Sequence, residues 1–208
     1  MVKINQENLP VWYQRLVPIL EALDIVPGSP IAGSFALWLW QGHTTGKTPS
    51  WTPADIDIWF SSEVDMLRTA VNAFSGIQRG YPTAAFEKRG PAIVEIRVAE
   101  DLPTLQFIHR NTYGSERKAP YRFLDMFDLS VTQVAVEFFC HDTVQFAFGD
   151  DDVRSDIASG TCRCFRDMAA PDFAETNTPR LAKYKARGFE ITQGVIRDLK
   201  WGSDYPSH

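Results

Sequence analysis

Two aspartates stand at alternate positions of a segment that otherwise has the composition of a buried strand. The segment is ADIDIWF, residues 54–60, and its acids are Asp55 and Asp57. Because successive side chains of a strand point to opposite faces, the two carboxylates share one face while Ile56 and Ile58 share the other. Adjacent like charges repel each other, and a shared proton, solvent or a bound cation relieves the repulsion. The spacing therefore predicts a pair of neighbouring carboxylates that could bind a cation or share a proton.

A turn of small residues, Gly33-Ser34, precedes this segment and opens a short apolar helix over 35–41. Backbone N–H groups at a helix N-terminus have no partner within the helix and favour anions such as phosphate. A carboxylate pair holds Mg²⁺ together with the phosphate oxygens of a substrate. The turn and the acids together predict a phosphoryl or nucleotidyl transfer site. The alternative is a solvent-facing strand that carries two acids by chance.

The motifs IAGSFAL, from residue 31, and DIDIWF, from residue 55, resemble the signature of the nucleotidyltransferase superfamily, which has the DNA polymerase β-like fold. The resemblance covers residues 30–110. It implies an α+β fold in which helices flank a small mixed β-sheet, followed by a C-terminal helical extension. The loop between the two motifs is longer than in minimal members of the superfamily.

The same resemblance implies roles for four residues. Gly33 and Ser34 would contact the triphosphate of a nucleotide, and Asp55 and Asp57 would bind two divalent ions, Mg²⁺ or Mn²⁺. These ions would activate the acceptor and stabilise the leaving pyrophosphate. The implied donor is a nucleoside triphosphate such as ATP.

The superfamily tends to have a third carboxylate on a later strand, for which two residues are candidates. Glu95, in AIVEIRVAED, shares a strand face with Arg97, and an ordinary ion pair is its alternative role. Asp128 lies in FLDMFDLSVTQVAVEF, which resembles phage and large-virus nucleotidyltransferase-like proteins and, distantly, the head of tRNA nucleotidyltransferases and poly(A) polymerases. Its alternative role is to cap a turn or to hold the Gln133 region by hydrogen bonds.

A basic helix is predicted near the C-terminus, with Thr178 as N-cap, Pro179 at the first helical position and Gly188 just past the end. Its charged residues are Arg180, Lys183, Lys185 and Arg187, with Tyr184 among them. We predict that Arg180, Lys183 and Tyr184 contact the phosphates of a nucleotide or of RNA. A solvated charged face is the alternative.

Hydrophobic periodicity predicts the elements that position these residues. The predicted helices cover 9–24, with Pro18 inside, and 63–79, with the inner stripe Val64, Leu67, Val71 and Phe74. The predicted strands are a hairpin over 92–110, joined at 101–103, and the segment 144–148. Residues 120–138 fit either one helix or a helix followed by a strand.

Length and composition limit the class of protein. The 208 residues carry a net charge of −5, which argues against non-specific coating of nucleic acid or membrane by the whole surface. We expect one domain over 1–208, with a core over 25–150 and the extension over 151–208. No apolar run approaches the ~20 residues of a membrane span, and the N-terminus lacks the apolar core of a signal peptide, so a cytoplasmic protein is expected.

The three cysteines, Cys140, Cys162 and Cys164, lack the spacing of a disulfide framework, and reduced thiols are expected. Zinc binding by Cys162 and Cys164 together with Cys140 and His141 is the alternative, for which a CxC spacing is a weak signal.

The sequence thus predicts a Mg²⁺-dependent nucleotidyltransferase that moves a nucleoside monophosphate from a nucleoside triphosphate to a hydroxyl. The acceptor stays open between an RNA end, a protein side chain and a small molecule. The alternative is a nucleotide- or RNA-binding protein of the same fold without turnover, with a regulatory or antitoxin-like role. No membrane partner is expected.

Overall fold

The computed structural model describes residues 1–4, 9–23, 29–109, 121–140 and 143–197. The chain divides into two compact units. The first unit comprises 1–118 and 135–147, and the second comprises 119–134 and 148–208. The prediction of one domain over the whole chain stays a prediction.

An eight-stranded sheet forms the centre of the first unit, in the order β1-β8-β7-β2-β3-β6-β5-β4. Its strands are β1 Val2–Lys3, β2 Ile31–Ala32, β3 Asp55–Phe60, β4 Ala85–Arg89, β5 Ile93–Arg97, β6 Thr104–His109, β7 Val134–Cys140 and β8 Thr143–Phe148. The sheet is mixed because β3 and β6 are parallel whereas β2 is antiparallel to both of its neighbours. The predicted mixed sheet flanked by helices is confirmed, and it is larger than predicted.

Three helices accompany this sheet in the first unit: α1 Val11–Ala22, α2 Ser34–Thr45 and α3 Glu63–Gly80. Helix α1 contains Pro18, as predicted, and the predicted end of this helix at Asp24 lies outside the described residues. Tyr13 of α1 stacks on both Phe35 and Trp38 of α2, with ring centroids 6.2 and 5.6 Å apart. All three rings are buried, so aromatic packing fixes α2 against α1.

The predicted inner stripe of α3 is wrong for its two valines, whereas its other members, Leu67 and Phe74, are half-buried. Val64 and Val71 are 73% and 51% exposed, whereas the buried residues are Met66, Thr69, Ala70, Ala73 and Ile77. These residues recur at helical spacing, but most of them are small or carry a hydroxyl group. A ranking by hydrophobicity therefore passed over Thr69, Ala70 and Ala73 and selected two valines on the exposed face.

The hairpin predicted over 92–110 is confirmed as β5 and β6, although its last residue, Arg110, lies outside the described residues. The segment 120–138 follows the second predicted alternative. Two short 3₁₀ helices, Arg122–Met126 and Ser130–Thr132, precede strand β7. The β-branched residues of VTQVAV favour this extended end.

The second unit contains α4 Val153–Ser159, β9 Thr161–Cys164, α5 Pro171–Ala186 and β10 Glu190–Gln193. Strands β9 and β10 pair in parallel, so the predicted C-terminal helical extension also contains a small sheet. Helix α5 begins eight residues earlier than predicted, at Pro171, and Pro179 lies inside it. Proline is favoured at the first position of a helix, and both Pro171 and Pro179 satisfy this preference. The sequence analysis selected Pro179, whereas the helix begins at Pro171. Gly188, at φ 90°, ends the helix as predicted.

No helix in the described part of the chain is long and apolar enough to cross a membrane.

Candidate active site

The turn between β2 and α2 has a backbone that favours glycine. Gly33 has φ 76° and ψ −139°, a conformation that side-chain-bearing residues rarely adopt. The first hydrogen bond of α2 runs from the Leu37 N–H to the Gly33 carbonyl, at 3.0 Å. The N–H groups of Ser34, Phe35 and Ala36 therefore have no acceptor within the helix, and the positive end of the helix dipole lies here.

The sheet places the two aspartates beside this turn. Asp57 is in register with Ala32, the residue before Gly33. A Cβ atom on Gly33 would lie 3.1 Å from Asp57 Oδ2, and the Ser34 hydroxyl donates a hydrogen bond of 3.3 Å to Asp55 Oδ1. The structure therefore brings together the four residues that the two motifs predicted. Both carboxylates are partly exposed, so a ligand can reach them.

Glu95 lies on the same row of the sheet, two strands from Asp57. Gln106 of β6 stands between them and is in register with both. Its amide donates a hydrogen bond of 2.9 Å to Glu95 Oε1, and the Arg89 guanidinium lies 3.0 Å from Glu95 Oε2. Glu95 is 5% exposed, so these partners balance a buried charge.

The three-carboxylate set of Asp55, Asp57 and Glu95 is not formed. Among the described residues, no three His, Cys, Asp or Glu side chains group closely enough to hold a metal ion. The strand next to β3 on this side is β6, where Thr104 and Gln106 are in register with the two aspartates. Both are neutral, so the neighbouring strand supplies no third acid.

Asp55 and Asp57 nevertheless fit a divalent cation that shares its coordination with a substrate. Mg²⁺ is commonly held by one or two carboxylates together with phosphate oxygens and water. The absence of a side chain at Gly33 keeps the space beside Asp57 Oδ2 open, and the N–H groups of α2 begin there. A phosphate could therefore reach both the cation and the helix.

Two other predicted site residues pair with each other in the second unit. Asp128 is 3% exposed, and Arg180 of α5 donates a hydrogen bond of 2.5 Å to its Oδ1. The Asp128 carbonyl also accepts a hydrogen bond of 2.8 Å from the Phe165 N–H. Asp128 therefore holds α5 and the 3₁₀ segment together within this unit.

The aromatic ring of the basic helix belongs to the core of the second unit. Tyr184 is 3% exposed and packs edge to face on Phe189, with the ring centroids 6.4 Å apart. The Arg187 guanidinium lies 5.1 Å from the centroid of the same tyrosine ring. Lys183 is half-buried and Lys185 is exposed. The assignment of Tyr184 to a nucleotide contact is a correction, because its ring is covered by protein.

Sequence reasoning missed Gln106 and Arg89. The alternation of TLQFIH was a usable signal, since it places Gln106 on the polar face of β6. Its position between Glu95 and Asp57 depends on two strand registers, which are long-range features. Arg89 lies on β4, a short strand rich in charged residues that the hydrophobic pattern does not predict.

No family model and no curated protein sequence matches the chain. Similar solved structures do exist, and they define the class of fold. A CCA-adding enzyme in complex with CTP matches with a TM-score of 0.59 at 16% identity, over 90% of this chain and 42% of that chain. The apo form I of a CCA-adding enzyme matches with a TM-score of 0.56 at 16% identity, over 90% of this chain and 41% of that chain.

A CCA-adding enzyme in complex with ATP matches with a TM-score of 0.53 at 14% identity, over 90% of this chain and 40% of that chain. The chain therefore has a nucleotidyltransferase fold. It spans about two fifths of the length of the CCA-adding enzymes that it resembles.

Proposed function

We propose that the chain is a Mg²⁺-dependent nucleotidyltransferase, which transfers a nucleoside monophosphate from a nucleoside triphosphate to a hydroxyl acceptor. The observation that carries this proposal is the junction of Gly33, Ser34, Asp55 and Asp57 at the N-terminus of α2. This junction combines a space for phosphate, free backbone donors and two carboxylates. The fold agrees with it, since two of the similar enzymes were solved with CTP and with ATP.

The proposed reaction is an in-line displacement at phosphorus. The acceptor hydroxyl gives its proton to solvent water and its oxygen forms a bond to the α-phosphorus, while the bond from that phosphorus to the bridging oxygen breaks and pyrophosphate leaves. The N–H groups at the start of α2 bind the phosphates, and the bare Cα of Gly33 allows their close approach. Asp55 and Asp57 would hold the divalent cation, which would lower the pKa of the attacking hydroxyl and neutralise charge on the phosphates.

We leave Glu95, Asp128 and Tyr184 out of the proposed machinery. Glu95 already interacts with Arg89 and Gln106, and Asp128 with Arg180. Tyr184 is buried. Lys183 stays a predicted phosphate contact.

The test is pyrophosphate release by the purified chain with each of the four nucleoside triphosphates, Mg²⁺ or Mn²⁺, and a set of hydroxyl acceptors. Asp55→Asn and Asp57→Asn should each abolish turnover, because either change removes one of two carboxylates from the cation site. Asp151→Asn is the matched control, since Asp151 is exposed and lies in another turn. Equal turnover in all four proteins would contradict the proposal.

A second candidate function is nucleotide binding without turnover. The neutral residues Thr104 and Gln106 beside the aspartates favour it, because no third acid stands there among the described residues. Nucleotide binding by the wild-type protein that depends on Asp57, with no pyrophosphate released under any condition, would support this second function over the first.

A further inference from the structure

A pocket opens at the C-terminal end of α2, the end opposite to Gly33. Its volume is about 140 Å³, and its lining includes Lys3, Trp38, His43, Lys47 and Thr48. Helix α2 has 12 residues, which at a rise of 1.5 Å per residue gives about 18 Å between its two ends. Trp38 and Leu39, in the middle of α2, also line the pocket, so it extends along the second half of the helix, whereas the carboxylate site lies at the first residue of the helix.

The lining of this pocket is positively charged in a protein that carries a net charge of −5. Lys3 and Lys47 are the charged residues of the lining, and no Asp or Glu among the described residues lines the pocket. Lys47 is exposed and forms no ion pair with a described carboxylate. Its N–H donates a hydrogen bond of 3.3 Å to the Thr45 hydroxyl, so the backbone is held where α2 ends. This end of α2 is the negative end of the helix dipole, and the two lysines offset it and favour a phosphate group.

His43 of the pocket lining packs beside two further aromatic rings, those of Trp40 and Phe146. Phe146 of β8 lies 5.1 Å from Trp40 and 6.3 Å from His43, measured between ring centroids. The His43 and Phe146 planes are inclined by only 19°, and His43 itself lines the pocket. His43 is exposed, and Trp40 and Phe146 are half-buried. We call these three residues the aromatic platform. Bases of single-stranded nucleic acid stack on platforms of this kind beside a basic groove.

We propose that the α2 pocket and the aromatic platform together bind a single-stranded nucleic acid, the acceptor of the proposed transfer. One phosphate would lie between Lys3 and Lys47, and the neighbouring base would stack on His43 and Phe146. A free phosphate would use only the lysines, whereas a strand uses both features. Because it names the acceptor, this inference rests on the proposed function.

Binding is measured by fluorescence anisotropy with a labelled single-stranded RNA of about 12 nucleotides, long enough for the site sizes of such grooves. No nucleoside triphosphate or divalent ion is added, so the result does not depend on catalysis. His43→Ala and Phe146→Leu should each weaken binding about fivefold or more, through loss of stacking. Lys47→Ala should lower the slope of log affinity against log salt by about 0.7, the value for one phosphate contact.

Two matched controls come from the far edge of the same sheet. Lys88→Ala removes an exposed lysine of β4, and Phe86→Leu shortens a half-buried ring that packs on Phe74 at 5.3 Å. Both controls should bind RNA like the wild type. Thermal unfolding verifies that each variant is folded, and Lys47→Ala, which changes an exposed side chain, keeps the test decisive if Phe146→Leu is unstable.

Unchanged RNA affinity in Lys47→Ala and His43→Ala would overturn this inference, as would a wild-type protein that binds no single strand. Weakening by the controls as much as by the platform variants would also overturn it. Pyrophosphate release is measured separately. Specific RNA binding without any turnover would contradict the proposed transfer while leaving the nucleic-acid site in place.

Discussion

At the scale of single residues, Gly33 is the position where the fold tolerates least change. Its φ of 76° disfavours any side chain, and a Cβ would lie 3.1 Å from Asp57 Oδ2. We expect Gly33→Ala to lower the free energy of unfolding by roughly 1–3 kcal/mol, the cost of such a backbone conformation. It should also weaken nucleoside triphosphate binding, because the methyl group occupies the proposed phosphate space. Chemical denaturation and isothermal titration measure the two effects.

Gly46 provides the control for that prediction. It also has a positive φ, 64°, but a Cβ there would meet no atom within 4 Å. Gly46→Ala should therefore lose stability through backbone strain and keep its nucleotide affinity. If both variants lose affinity equally, Gly33 is only a structural turn.

The pair of Asp55 and Asp57 should make the thermal stability of the protein depend on Mg²⁺. Mg²⁺ should raise the melting temperature of the wild-type protein, since a ligand that binds only the folded state stabilises it by mass action. Asp57→Asn should respond less to Mg²⁺. Without metal this variant should melt higher than the wild type, because one of two like charges on the same strand face is gone. Differential scanning fluorimetry over a series of Mg²⁺ concentrations measures both, and identical responses would remove the cation site.

At the scale of elements, the ion pair between Asp128 and Arg180 anchors α5. Arg180→Ala would leave the Asp128 carboxylate buried at 3% exposure without this cation. Removing one partner of a fully buried pair costs about 3–5 kcal/mol, and since the Arg180 side chain is 36% exposed we expect about 2 kcal/mol. Urea denaturation measures this loss. In a double-mutant cycle, Asp128→Asn should recover part of it.

Arg68→Ala is the matched control for the Arg180 variant, since it removes an arginine from an exposed ion pair on another helix. Its partner Asp65 is 37% exposed and the Arg68 side chain 60% exposed, so their pair on α3 should contribute under about 1 kcal/mol. Equal losses in Arg68→Ala and Arg180→Ala would show that burial of Asp128 does not matter. Loss of turnover in Asp128→Asn at unchanged stability would instead restore Asp128 to the active site.

Local features of the site could be predicted from the sequence, whereas contacts between distant strands could not. The turn at Gly33 and the strand with Asp55 and Asp57 were predictable because each depends on a few neighbouring residues. Glu95 was placed on the correct face, but its partners Arg89 and Gln106 come from two other strands and follow only from the sheet registers. Burial of Tyr184 was likewise not predictable, because it depends on packing against Phe189.

At the scale of the molecule, the buried thiols of β9 report on the opening of the second unit. Cys162 and Cys164 are both fully buried, and burial raises the pKa of Cys162 to about 12. The thiolate is the reactive form, so at pH 8 the native protein should react with iodoacetamide at Cys162 far more slowly than a free cysteine does. The reaction should accelerate in step with unfolding by denaturant.

Mass spectrometry of the labelled peptides follows each cysteine separately. Ala158→Cys, at an exposed position of α4, supplies a thiol in the same unit that should react without denaturant. If Cys162 reacted as fast as this control in the native protein, its burial in the described fold would be wrong.

The position of β2 at the centre of the sheet has a consequence during synthesis. Ile31 of β2 pairs with Val136 of β7, so 105 residues separate the two partners along the chain. At about 5–20 residues per second, a ribosome needs roughly 5 to 20 s to make the second partner after the first. Throughout that interval the nascent β2 has an unpaired edge, which is a template for aggregation. The two residues of β2 keep this edge short, which limits the hazard for a strand whose partner is made so late.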